Sequence, residues 1–321
     1  MRELSESILS TLIYYDILDY PLTSFEIWKY LISRKYKVES IKQDDVEARH
    51  GASLTTEITL KDILSELESE ELKNHLEEYR GFYFLKGRKD LVSQRLERNN
   101  ISEIKYKKIL KVVHWLRFVP FIRMIGVTGR VAMKNADRES DLDLLIVLKD
   151  GHIFTGRFLV TFFTHIIGKR RYGQKITDRI CLNYYITTDS LEINLQDLFS
   201  SGEYLFMLPV YGFDVYRKFQ EENQWISKYR PNYYVHDVSN RKIIKDSYFS
   251  KKIRNVGEKI LGSRKIEKIL KSFQVKKIKS NPKTNLSGSM IVADNNALIF
   301  LPEPQGPGVY DRFRERMEEL V

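Results

Sequence analysis

The sequence predicts an α+β protein. A central mixed sheet is flanked by helices, preceded by a small helix-and-hairpin domain and followed by a helical, basic C-terminal region. Three observations carry this. Residues 121–149 read as strand, glycine turn, short helix, strand. Residues 1–90 read as three helices and a hairpin. Residues 251–283 hold twelve Lys or Arg against only Glu258 and Glu267, laid over helical apolar spacing. The implied boundaries are 1–90, a linker helix over 91–117, a core over 118–190 and a helical region over 191–321.

The elements follow in order. Ile8, Leu9, Leu12, Ile13 and Ile17 fall at helical spacing, and Asp19-Tyr20-Pro21 ends that helix. Thr23 with Glu26 three residues on is a capping box for a second helix, Ser24 to Ile32. Residues 34–58 are polar, of mixed charge, and read as an exposed loop. Thr59 with Asp62 starts a third helix over residues 60–68, and Arg80-Gly81 centres a hairpin that includes Phe82-Tyr83-Phe84-Leu85. Three helices and a hairpin in this order are the pattern of a winged helix, a domain that binds DNA or docks proteins. The third helix carries Asp62, Glu66 and Glu68 against Lys61 alone, whereas a DNA-reading helix is normally basic. Over 91–117, Ile104, Ile109, Val112, Val113 and Leu116 give a linker helix one apolar face. Its lysines, Lys105, Lys107, Lys108 and Lys111, read as a solvated face.

Phe121 to Val127 is a compact run rich in branched residues, a buried strand. Thr128-Gly129 ends it, with Gly free to turn sharply and approach a ligand. Val131 to Asp137 has room for two helical turns. Asp141 to Leu148 is a second strand. Strand side chains alternate, so Asp141 and Asp143 project to one side, roughly 6–7 Å apart along the chain. Two converging carboxylates suit a Mg²⁺ ion bound to substrate phosphates, and the glycine turn offers backbone N–H groups to the same phosphates.

Thr128-Gly129-Arg130 followed by Ser140-Asp141-Leu142-Asp143 resembles the signature of the polymerase-beta-like nucleotidyltransferases. The resemblance covers residues 118–190. It implies a nucleotidyltransferase-type mixed sheet and a nucleoside triphosphate, ATP by expectation, bound with Mg²⁺ or Mn²⁺. An acceptor oxygen would attack the α-phosphate and pyrophosphate would leave. Asp141 and Asp143 would hold the metal; Thr128, Gly129, Arg130 and Ser140 would hold the nucleotide. The family has a serine where this chain has Arg130, which can grip phosphate or obstruct the site. The family's third acid falls in the strand Arg179 to Thr187, where alternation groups Cys181, Asn183 and Tyr185 on one face. Asn183 matches its position, with Asp178 as the alternative. Asn can ligate a cation but is a poor base. The competing reading is a non-catalytic nucleotide-binding regulator.

After the second strand the sequence continues with an apolar helix, Thr155 to Gly168, and a basic loop, Lys169 to Lys175. That loop lies near the triphosphate or is simply solvated. Residues 196–211 read as one or two helices, 214–228 as another, and 229–238 as aromatic and irregular. Residues 290–301 read as a hairpin around Asn295-Asn296, 302–308 as a Pro/Gly linker, and 309–320 as a charged helix.

With 321 residues, 42% hydrophobic and 30% charged, the chain can bury a sizeable core. Its net charge of +10 favours acidic partners such as nucleotides, nucleic acid or an anionic surface, and a solvated basic surface is the plain alternative. The single Cys181 excludes an internal disulfide, suits a reducing cytoplasm and reads as a small buried residue. The opening MRELSESILS lacks a leader pattern, and Ile153 to Gly168 is too short to cross a membrane.

Overall fold

The computed structural model describes residues 2–33, 58–233 and 243–320. The loop expected over 34–58 lies outside these but for its last residue, as does 234–238 of the aromatic stretch. The fold is mixed α+β, and its contacts divide it into two compact units.

Unit one comprises Met1–Arg95, Trp225–Tyr234 and Pro307–Val321. Its elements begin with α1 (Glu3–Ile17), β1 (Leu22–Thr23), α2 (Ser24–Lys29), α3 (Leu60–Leu67) and α4 (Glu70–Lys73). The hairpin β2 (Leu76–Tyr79) and β3 (Phe82–Leu85) follows, and the sheet order is β1-β3-β2, antiparallel throughout. Both capping boxes form, Thr23 with Glu26 and Thr59 with Asp62, fixing where α2 and α3 begin. The apolar spacing of α1 buries Ile8, Leu9 and Ile13 completely, with Ile27 and Ile63 from α2 and α3. Helix α2 stops at Lys29, three residues short of expectation.

Unit two comprises Leu96–Gln224 and Val235–Gly306. The expected linker helix is α5 (Asp90–Leu116). Then come β4 (Ile122–Val127), α6 (Gly129–Ala132), β5 (Leu142–Leu148), α7 (Ile153–Ile166), β6 (Ile180–Thr187) and α8 (Leu198–Leu205). These are followed by β7 (Leu208–Tyr211), α9 (Phe213–Glu222), α10 (Ile226–Tyr229, in unit one), α11 (Tyr248–Leu261) and α12 (Arg264–Lys279). The hairpin β8 (Met290–Ala293) and β9 (Ala297–Leu301) precedes α13 (Gln305–Leu320), which from Pro307 on belongs to unit one. Six strands form one mixed sheet, β7-β4-β5-β6-β9-β8, in which only β5 and β6 pair in parallel.

One face of this sheet carries the apolar core. Ile125 and Val127 of β4 and Leu142, Leu144 and Ile146 of β5 meet Ile109, Val113 and Leu116 of α5 and Phe154 and Val160 of α7. The alternation that buries Leu142 and Leu144 turns Asp141 and Asp143 to the opposite face.

The structure corrects four expectations. The helix expected over 131–137 is a single turn, because Lys134 takes φ +59° and the Asp137 side chain folds the next residues into a turn. The stretch 196–211 ends in strand β7, at the sheet edge where Pro209 is tolerated. The 302–308 linker is partly helical, since α13 starts at Gln305 with Pro307 in its first turn, where a missing N–H costs little. The alternation expected along β6 fails at a bulge: Cys181 sits opposite Asp143, but Tyr184 sits opposite Leu145. Tyr185 therefore joins Ile180 in the apolar core instead of sharing a face with Cys181.

Candidate functional site

The site is built at the start of β5. The turn after β4 places Gly129 beside the Asp143 carboxylate: a Cβ there would fall 2.6 Å from Asp143 Oδ2, and the glycine takes φ +63°. Both facts favour glycine, the first by contact and the second by backbone strain. The Thr128 N–H donates to the Asp143 carbonyl at 3.2 Å, tying the turn to the strand.

Asp141 and Asp143 converge as expected. One oxygen of each and Cys181 Sγ lie within 4.8 Å of one another, close enough to share a cation. Burial, then the Asp141 charge, push the Asp143 carboxyl above the usual range. The Cys181 thiol donates a hydrogen bond to Asp143, and burial followed by the two aspartates pushes its pKa up, so it stands there as a protonated thiol. Cys181 is buried, as its size suggests, but it lines the acid pair.

A further carboxylate beside the turn is Glu203, on α8. Its carboxylate accepts the Gly129 N–H, and burial followed by the Asp143 charge raise its pKa to about 7. Three carboxylates thus gather around one glycine turn. Asn183 lies in the bulged part of β6, and the residue paired with Asp143 is Cys181. Asp178 sits just outside β6 and is bound to Lys105 (3.0 Å) and Lys108 (2.5 Å).

Two cations hold the edges. Arg171, from the basic loop, places Nη1 2.5 Å from Asp141 Oδ2 and 3.5 Å from Cys181 Sγ. Lys105 is buried on α5, unlike the exposed Lys107, Lys108 and Lys111, so the lysines of this helix are not one solvated face. Its ammonium donates to Arg138 O (3.0 Å) and Ser140 O (2.8 Å) as well as to Asp178, fixing the loop that enters β5.

The remaining expected residues lie on that loop and the glycine turn. Asp137 Oδ1 accepts from the Ser140 N–H and hydroxyl, both at 2.7 Å, and from the Glu139 N–H at 3.0 Å. Partial burial raises the Asp137 pKa, but these bonds outweigh it and hold the carboxyl below its usual range. Arg130 is 56% exposed and pairs with Asp137 at 2.7 Å, so it stands at the rim and does not fill the site. Thr128 precedes α6 and is half-buried.

The sequence held signals for what was missed. Glu203 is the sole acid between Asp197 and Asp214, inside an otherwise uncharged helix. Lys105 falls on the stripe of Ser102, Ile109 and Val112, the buried side of α5. Comparison with known proteins adds no relative: no family model, curated protein or solved structure matches the chain.

Proposed function

We propose that unit two is a nucleotidyltransferase core, which transfers a nucleoside monophosphate from a nucleoside triphosphate, ATP by preference, to an acceptor oxygen. One observation carries the reading. The Gly129 turn stands against the Asp143 carboxylate, which converges with that of Asp141, while Glu203 holds the turn through the Gly129 N–H, so a glycine turn open to close approach and a pair of cation-facing carboxylates are side by side.

The donor set fits a hard divalent cation, Mg²⁺ or Mn²⁺. Asp141 and Asp143 would hold it, with the thiol of Cys181 serving Asp143 as a hydrogen-bond donor. When bound, such an ion supplies charge neutralisation to the phosphate oxygens. The chain's own groups do the rest. Arg171 leaves Asp141 for the phosphates, and Arg130 meets them at the rim from its seat on Asp137. Glu203 sets the Gly129 turn, and Lys105 fixes the approach to Asp141. Asn183 would orient water or complete the cation's shell, and Thr128 and Ser140 shape the nucleotide side.

In this reading residues 1–90 form a winged-helix-like domain. The exposed charges of α3 and its C-terminal cap are Asp62 and Glu68 against Lys61, which favours a protein over DNA as its partner. The second reading, a nucleotide-binding regulator without turnover, is favoured by the Arg171–Asp141 pair, which already neutralises one of the two metal-facing acids. Incubation with α-labelled ATP, Mn²⁺ and cell extract separates the two. Label on an acceptor that disappears in Asp141→Asn/Asp143→Asn supports the enzyme; nucleotide binding with no label on any acceptor supports the regulator.

A further inference from the structure

Helix α11 is amphipathic the wrong way round for a helix that only packs on its own protein. Its inner side is polar. Arg254 holds Asp246 through Nη1 (2.9 Å) and Nη2 (2.7 Å), and Glu258 accepts both arms of Arg123 at 2.8 Å and the Phe121 N–H at 3.0 Å. Its outer side is apolar. Phe249 (63% exposed), Ile253, Val256 and Ile260 (68% exposed) follow at spacings of four, three and four, a single stripe roughly 16 Å long at 1.5 Å per residue. Helix α12 packs inward through Leu270, Gln274, Val275 and Ile278, yet it too leaves apolar side chains outside, Ile269 and Phe273, one turn apart. Contiguous apolar surface on this scale marks an interaction site.

The charge around these stripes has one sign. Residues 248–279 contain eleven Lys or Arg and two acids, and both acids are turned inward. Glu258 is taken by Arg123, and Glu267 caps the N-terminus of α7 through the Phe154 and Thr155 N–H groups, both at 2.9 Å. Helical spacing puts the exposed Lys252 and Lys259 along one edge of the α11 stripe. The stripe continues through rings: Phe249 lies 6.2 Å from Phe118, and Phe118 lies 6.2 Å from the exposed Trp115. Lys111 is exposed one turn before Trp115.

Charge and shape select the occupant. A second copy of this surface would set lysine against lysine. A nucleic acid would answer the lysines, but Ile253, Val256 and Ile260 give bases nothing to stack on. An anionic bilayer answers both, taking the aliphatic ridge and the Trp and Phe rings at the acyl boundary and the lysines at its headgroups. The geometry points to a membrane-surface site: α11, continued by α12, is the face by which this protein rests on an anionic lipid bilayer. Among the described residues no helix is long and apolar enough to cross one, so the attachment is peripheral.

The test is co-sedimentation of the full chain with vesicles of phosphatidylcholine alone or mixed with phosphatidylserine, and in parallel a gel shift with single-stranded RNA. The expected result is binding to the mixed vesicles only, weakened by salt. It should fall about tenfold or more in Ile253→Ser/Val256→Ser/Ile260→Ser, given the apolar area withdrawn. Circular dichroism and Tm of that variant should match the parent, which separates loss of the surface from loss of the fold. The inference is overturned by equal binding to both vesicle types, by vesicle binding unchanged in the triple variant, or by binding of RNA without vesicles.

Discussion

The acid end of β5 and the basic pair α11–α12 belong to the same unit and handle charge in opposite ways. At β5, Asp141, Asp143 and Glu203 are drawn together against their own repulsion, two of them with raised pKa values. Arg171 pairs with Asp141, and Lys105 holds the loop that leads into it. On α11–α12 the acids are spent inward and the cations spread outward beside uncovered apolar side chains. The first arrangement stores unfavourable interactions that a small cationic ligand would relieve. The second stores nothing internally and is answered only by something large and external. Charge gathered under strain marks a site for an ion; charge displayed with apolar surface marks a face for a partner.

That contrast can be broken at either end. The largest effect is expected at Gly129→Ala. A Cβ 2.6 Å from Asp143 Oδ2 must displace the carboxylate, and a misplacement on the ångström scale costs roughly a hundredfold in rate. Label transfer measured beside circular dichroism checks it, and undiminished transfer would mean that the turn and the acids do not work together. Next comes Lys105→Met, which takes a buried donor away from Arg138 O, Ser140 O and Asp178, the last of which keeps Lys108. Stability should drop by about 2 kcal/mol in urea unfolding, and nucleotide affinity should fall with it because the loop before Asp141 loosens.

Glu203→Gln acts through pH. The folded protein holds a proton on Glu203 up to about pH 7, while the unfolded chain releases it near 4.5, so the parent loses stability as pH rises through that window. The variant escapes the loss. It should match the parent below pH 4.5 and exceed it by roughly 1–2 kcal/mol above pH 7. Identical pH profiles would remove the charge conflict from the account. The smallest effect is expected on α11: Ile253→Ser/Val256→Ser/Ile260→Ser should leave unfolding within about 0.5 kcal/mol of the parent, since the outer stripe supports no core. A larger loss would show that the stripe is structural and erase the contrast.

How far each region could be read in advance follows from the range of its interactions. The strand–turn–strand around Gly129 and the pairing of Asp141 with Asp143 depend on local alternation, and they stood in the sequence. So did both capping boxes and the hairpin at Arg80-Gly81. Glu203 reaches the site from some sixty residues beyond the aspartates, and only tertiary packing brings it to the Gly129 N–H. The bulge in β6, which sets Cys181 and not Asn183 beside Asp143, depends on the register between two strands and has no mark in either. On α11 the periodicity showed an amphipathic helix, but periodicity does not say which side faces in. Here the ion pairs of Arg254 and Glu258 decide, and they are made with Asp246 and Arg123 from other segments.

The central claim, that the Gly129 turn and the aspartate pair form one cation-dependent nucleotide site, is tested most directly by titration calorimetry. The full chain is titrated with a non-hydrolysable ATP analogue, with and without Mn²⁺, beside Asp141→Asn/Asp143→Asn. The account predicts binding that requires Mn²⁺ in the parent and falls at least about tenfold in the double variant. Nucleotide binding of equal strength without the ion, or undiminished in the double variant, would contradict it.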